Sequence, residues 1–182
     1  MIQKEARLLR VGVLGCGPIA QFAHFDACRK ARNCALHAIC DAAPDLLARM
    51  AATHTPEKTY SRYEDMLADS EVEAIVVAVS DQFHVPLCMQ ALDAGKHVFV
   101  EKPLGTTVEE CDALAARVRA VQAGGHRVFQ VGNNRRFDPG VAFAHRFVRE
   151  EIGGLIAIKA WYCDSTLRYT MTDNVQPIPI QS

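Results

Sequence analysis

The chain has 182 residues, 49% hydrophobic and 23% charged, with a formal net charge of −1. That length suits one domain and part of another, and the composition is that of a soluble globular protein. It excludes a nucleic-acid binder built on a basic stripe or tail, and no apolar run reaches membrane-spanning length.

Residues 8–14 are an apolar run predicted as a buried first strand. The run ends in Gly15-Cys16-Gly17-Pro18-Ile19-Ala20, a Gly-x-Gly-x-x-Ala turn, and enters a helix predicted over 18–31. Strand, glycines and helix in that order form a dinucleotide-binding crossover. Gly15 lets the chain turn off the strand. Gly17 leaves the backbone open to a pyrophosphate, and Ala20 keeps the helix close to the sheet. The helix start offers free N–H groups and a positive dipole end to phosphates, and Pro18 suits a first turn. The same six residues also suit an ordinary tight turn, so the rest of the chain decides.

A second strand is predicted over 34–41, a helix over 45–52 opened by Pro44, and a short strand at 59–60. Ser61-Arg62-Tyr63-Glu64 matches a capping box for the next helix. Residues 73–79 are rich in Val and Ile without alternation, as in a strand buried on both faces of a parallel sheet. A helix over 84–94 stops at Gly95, and a strand follows at 97–100. After Glu101-Lys102-Pro103, Thr107-Val108-Glu109-Glu110 is a second capping box. It opens a long helix with Cys111, Leu114, Ala115 and Val118 on one face, ended by Gly124-Gly125. A sixth strand is predicted over 127–131. Repeated strand–helix units with short connections imply an α/β fold, a doubly wound parallel sheet with right-handed crossovers, over residues 1–134.

Asp138-Pro139 then opens a helix to about residue 151, and residues 155–163 are predicted as a strand. A lone strand needs a sheet, and residues 164–182, with Pro177 and Pro179, do not supply one. Residues 135–182 are therefore expected to begin an incomplete second domain. The chain is then a truncated portion, or its missing sheet comes from another copy in a homo-oligomer. A third option adds the strand to the edge of the first sheet.

Met1 to Arg7 lacks the apolar core of a signal peptide, so a reducing cytoplasm is the expected compartment. The 7 cysteines show no Cys-x-x-Cys spacing and read as small buried apolar residues. The 7 histidines form no His-x-x-x-His pair, and no metal is expected.

Several residues fall at predicted strand ends, where open parallel sheets hold ligands. Asp41 is placed to accept hydrogen bonds from an adenosine ribose and to repel a 2′-phosphate, which favours NAD over NADP; alternatively it caps the following turn. Val79 and Ser80 are expected to line the cofactor cleft. His84 is a donor to that cleft or a cap for its own helix. Lys102, with Glu101 before it, follows the fifth strand directly and can bind a substrate oxygen or move a proton. A free lysine keeps its proton well above neutrality, so proton work there needs burial or a cationic neighbour. The competing reading is a solvated lysine paired with Glu101. The Lys102–Pro103 bond has the cis option open to X–Pro bonds.

Taken together, the glycine turn, Asp41, Tyr60-Ser61-Arg62-Tyr63-Glu64-Asp65-Met66-Leu67, Gly95-Lys96-His97-Val98-Phe99-Val100-Glu101-Lys102-Pro103 and Asn134-Arg135-Arg136-Phe137-Asp138-Pro139 resemble the Gfo/Idh/MocA oxidoreductase family. The run through Glu101-Lys102-Pro103 is far more specific than the glycine turn. The resemblance implies an N-terminal Rossmann domain for NAD(H) or NADP(H) and a C-terminal domain with an open sheet for substrate binding and dimerisation. It places Lys102 at the nicotinamide and substrate, and Arg135 or Arg136 where the chain crosses between domains. Family members run to about twice this length and carry an Asp and a His on a later helix, which this chain does not reach. The expected function is hydride transfer between nicotinamide and a sugar, cyclitol or related polyol. The alternative is a non-catalytic NAD(H)-binding or regulatory module.

Overall fold

A computed structural model describes residues 7–159 and 161. The strands are β1 (Leu9–Leu14), β2 (Cys34–Cys40), β3 (Lys58–Tyr60), β4 (Ala74–Val77), β5 (His97–Val100) and β6 (Phe129–Val131). All pair in parallel, in the order β3-β2-β1-β4-β5-β6. The order reverses between β1 and β4, whose register runs from Val11↔Ala74 to Leu14↔Val77. This is the doubly wound arrangement read from the alternating pattern, and its switch point lies at the ends of β1 and β4.

Successive β4 residues explain why the strand is apolar without alternation. Ile75 and Val77 point into one core with Tyr63, Met66, Cys88, Leu92 and Leu114. Ala74 and Val76 point into the other with Phe25, Cys28, Ile39 and Leu47. The helices α1 (Phe25–Lys30) and α2 (Pro44–His54) cover the second face; α3 (Tyr63–Ala68), α4 (His84–Asp93) and α5 (Val108–Ala123) cover the first. Phe25, Ile39, Ile75 and Leu114 are fully buried, and each contributes about 2 kcal/mol by leaving water.

The helix after the glycine turn is not uniform. Residues Ala20–His24 form a π-helical turn that runs straight into α1. Ala20 and Phe25, five positions apart, are both completely buried. An α-helix would set them about 140° apart. The wider turn, closed by Phe25 N–H on Ala20 O, lets both face the sheet.

The capping box at Thr107 forms as predicted. Glu110 N donates to Thr107 Oγ1 at 3.3 Å, and Thr107 N donates to Glu110 Oε1 at 2.9 Å. The box at Ser61 does not form: α3 starts after Arg62 with no side-chain cap. Burial of Tyr63 and Met66, with Tyr63 Oη donating to Leu87 O at 3.1 Å, fixes that helix instead.

The chain divides into two compact units after Gly132. In the second, α6 (Pro139–Phe147) is capped by Asp138, whose Oδ1 accepts from Gly140 N at 2.8 Å. The strand predicted over 155–163 is not formed at 155–159, which have no regular structure. Its alternating Leu, Ile and Ala meet no partner strand among the described residues, and extended backbone has no hydrogen bonds of its own. Residues 162 and 163, with the remainder of the chain, lie outside the described residues. Among the described residues, no helix is long and apolar enough to cross a membrane.

Candidate cofactor and active site

The turn leaving β1 sits at the switch point. Gly15 has φ +91°, and a Cβ there would lie 2.5 Å from Ala78 O. Gly15 N donates to Cys40 O at 2.9 Å and Ala78 N to Leu14 O at 2.8 Å, so the ends of β2, β1 and β4 meet at this residue. A Cβ on Gly17 would meet nothing within 4 Å. The turn is thus filled on its inner side and open on its outer side, the shape a phosphate cradle requires. Pro18 and Ile19 are exposed in the first helical turn, which Gln21 N closes on Gly17 O at 3.1 Å. Amide groups this early in a helix have no acceptor within it.

Asp41, directly after β2, reaches the same turn. Its Oδ2 accepts from Cys16 N at 2.7 Å, and its Oδ1 accepts from Ala43 N at 2.8 Å. The turn-capping role is therefore real, and one carboxylate ties the glycine turn to the end of β2. A carboxylate offers about four lone-pair sites, so acceptor capacity remains for a ligand hydroxyl.

Two expected cofactor contacts are redirected. The Cys16 amide is taken by Asp41, and its thiol is completely buried. Burial, reinforced by Asp41 and Cys40, pushes that thiol up to about 12. Cys16 closes the turn rather than presenting a side chain to a ligand. His84 is 1% exposed, with Nδ1 2.6 Å from Pro103 O and Nε2 3.1 Å from Val79 O. Neither nitrogen is left for a cofactor. Nor does His84 cap α4, whose N-cap is Phe83 with no side-chain bond.

Val79 is half-buried and Ser80 exposed beyond the end of β4. Lys102 is exposed beyond the end of β5, next to β4 in the sheet. The Lys102–Pro103 peptide is cis. Glu101 does not pair with the lysine ammonium. Its Oε1 lies 3.0 Å from His24 Nε2, and its Oε2 accepts from Lys102 N at 3.2 Å. Among the described residues the Lys102 side chain has no hydrogen bond or ion pair.

His24 was absent from the sequence-derived site. Its ring packs edge-on to Phe99, with centroids 5.5 Å apart, and is nearly buried against Glu101. Burial lowers its pKa and outweighs the raising effect of Glu101. The ring is then neutral at pH 7, with Nε2–H donating to the carboxylate. His97 is lowered too, by burial and then by Arg127. A histidine whose pKa falls on folding contributes stability above its unfolded value, about 6.5, and that contribution is lost as pH falls below it. Thermal melts should accordingly show Tm falling between about pH 7 and pH 5, with a shallower slope in His24→Gln. Identical slopes would count against this account.

A grouping of His37, Asp69 and Glu71 brings one ligand atom from each within 4.8 Å of the others. The Lys58 ammonium is already there, 3.0 Å from Asp69 Oδ2 and 2.7 Å from Glu71 Oε2. Burial pushes the Asp69 carboxyl up. Hydrogen bonds from Glu71 N, Lys58 and Tyr60 overcome that and hold it well below the usual range. A cavity of about 240 Å³, lined by Val72, Lys96, His97 and Arg127 among others, opens where β4 and β5 begin. Ligands in parallel sheets bind at the other ends of the strands.

Arg135 and Arg136 belong to the second unit, in a turn over Asn134–Phe137, and Arg135 Nη1 lies 3.5 Å from Asp138 Oδ2.

Comparison with known proteins agrees with this geometry. The Gfo/Idh/MocA model, described as an oxidoreductase family with an NAD-binding Rossmann fold, matches residues 9–128. Inositol 2-dehydrogenase/D-chiro-inositol 3-dehydrogenase of Shouchella clausii (strain KSM-K16) is 36% identical over 151 residues, covering 80% of this chain and 42% of that protein. Inositol 2-dehydrogenase of Paracoccus denitrificans (strain Pd 1222) is 34% identical over 160 residues, covering 84% and 45%. Among solved structures, scyllo-inositol dehydrogenase from Lactobacillus casei with bound NAD(H) and scyllo-inositol superposes with TM-score 0.75 at 25% identity, covering 81% of this chain and 43% of that one. The chain spans less than half the length of these relatives. With the strand order, the glycine turn and a family match over most of the first unit in agreement, the chain belongs to the Gfo/Idh/MocA family of NAD-binding Rossmann oxidoreductases.

Proposed function

We propose that this chain is the cofactor-binding part of an NAD-dependent dehydrogenase acting on a CH–OH group of an inositol, sugar or related polyol. The observation that carries this reading is the turn at the switch point, filled behind Gly15, open before Gly17 and tied to Asp41. Gly15 to Ile19 would hold the pyrophosphate with main-chain amides and the helix start. Asp41 would accept from the ribose hydroxyls with its remaining lone pairs, and its charge disfavours a 2′-phosphate. Val79 and Ser80 would line the nicotinamide side. A bound nicotinamide supplies hydride acceptance and return. Lys102 would donate a hydrogen bond to the reacting oxygen, orient it and assist its proton. Residues 133–182 would begin the substrate-binding domain, with Arg135 near the crossing. The inositol dehydrogenases among the relatives support the polyol class.

Calorimetry of the chain with each cofactor tests the reading. NAD+ is expected to bind more tightly than NADP+. Asp41→Ala should weaken NAD+ by about tenfold, through loss of charge-assisted hydrogen bonds, and narrow the difference between the two. Tighter binding of NADP+ to the unaltered chain would overturn the choice of cofactor.

A further inference from the structure

The segment carrying Lys102 is anchored at its ends, where Glu101 N donates to Val77 O at 3.0 Å and Thr106 N donates to Glu110 Oε1, but is poorly tied between them. Residues 101–107 form no helix or strand, and Pro103 has no N–H to give. Two histidines from different elements make up the deficit. On one side, His24 at the end of the π-helical turn holds Glu101, and Glu101 holds the Lys102 amide. On the other, His84 in the first turn of α4 bridges Pro103 O and Val79 O. The histidines therefore grip the residues immediately before and after Lys102, whose own side chain is left unengaged among the described residues.

We propose that His24 and His84 are positioning residues that brace the Lys102 loop from both sides and so aim its ammonium into the cleft. This rests on the proposed role of Lys102. Each brace also joins that loop to a cofactor-side element. His24 extends from the helix that the glycine turn opens, and His84 holds Val79 at the end of β4. Both His84 nitrogens face carbonyl oxygens, and a neutral imidazole carries a single N–H. Whichever nitrogen carries the N–H donates to the carbonyl oxygen it faces. The His24–Glu101 contact needs one N–H, because its acceptor is a carboxylate.

Burial makes both contacts consequential. His84 is 1% exposed, and the His24 and Glu101 side chains are 11% and 15% exposed. Removing the His24 ring leaves the largely buried Glu101 carboxylate without its partner, and removing the His84 ring leaves Val79 O and Pro103 O without theirs.

Amide hydrogen exchange by mass spectrometry on the 182-residue chain tests the brace, with His84→Ala, His24→Ala and the conservative His84→Gln and His24→Gln. Each alanine variant should speed exchange within residues 101–106 by about tenfold, while β1 and β4 keep their protection. The glutamine variants, which keep one donor, should recover part of it. NAD+ affinity by calorimetry should change by less than about threefold, since neither ring is assigned a cofactor contact. Unchanged exchange in 101–106, or a uniform rise through β1 and β4, would overturn the brace. If an alanine variant does not fold, its glutamine counterpart decides, with about a threefold local increase expected. Failure of the unaltered chain to bind NAD+ would overturn the cofactor reading instead, and local exchange would still decide the brace.

Discussion

Gly15→Ala should destabilise the chain by about 3 kcal/mol and remove measurable NAD+ binding. The backbone there has φ +91°, a region that L side chains rarely adopt, and the added methyl would lie 2.5 Å from Ala78 O and 3.0 Å from Val79 Cγ1. Ala78 is held to β1 through its amide at 2.8 Å from Leu14 O, so it cannot retreat without opening the switch point. Gly17→Ala is the informative contrast. A methyl there meets nothing within 4 Å, so stability should stay within about 0.5 kcal/mol while NAD+ affinity falls. Denaturant melts and calorimetry on both variants separate the roles. A Gly15→Ala chain as stable as the original would refute the packing argument.

Lys102→Ala has the second large effect. In the proposed dehydrogenase, it should lower kcat by about 10²- to 10³-fold, the scale for loss of a positioned proton donor or oxyanion partner. NAD+ affinity should stay within about threefold, because the turn and Asp41 lie on the other side of β4 in the sheet. Steady-state kinetics with NAD+ and an inositol provide the measurement. Unchanged turnover would end the catalytic assignment of Lys102, whereas no turnover in the unaltered protein would leave a binding module without chemistry as the surviving alternative.

Local signals made much of this legible in the sequence. The order strand, glycines, helix depends on neighbours within one crossover. The Thr107 capping box is complete within four residues and formed. The unalternating Val and Ile of β4 report two buried faces, and the two cores meet there. Misreadings arose where the deciding partner is distant or absent. His24 gave no signal because Glu101 lies 77 positions away. His84 was placed at the correct strand end, but its acceptors, Val79 O and Pro103 O, are main-chain atoms that no residue identity announces. Ser61 has the letters of a capping box, yet the burial of Tyr63 set the start of α3. Residues 155–159 have strand-like alternation and no neighbour to pair with among the described residues. Periodicity reports what a segment would do given a partner, not whether the partner is there.

The π-helical turn at Ala20–His24 has a consequence for angular phase. Each α-helical residue advances the chain by about 100° about the axis. The first turn is fixed by the glycines, and α1 is fixed by the burial of Phe25 and Cys28. Those two demands come from opposite ends of one rod, and an unbroken α-helix satisfies both only by coincidence. The widened turn absorbs the angular difference, so the glycine-turn end and the core-facing end are set independently. His24, the last residue of that turn, is where the adjustment is delivered. The aim of a histidine at the lysine rim is thereby set with the core-facing end of the helix rather than by the turn that the glycines fix.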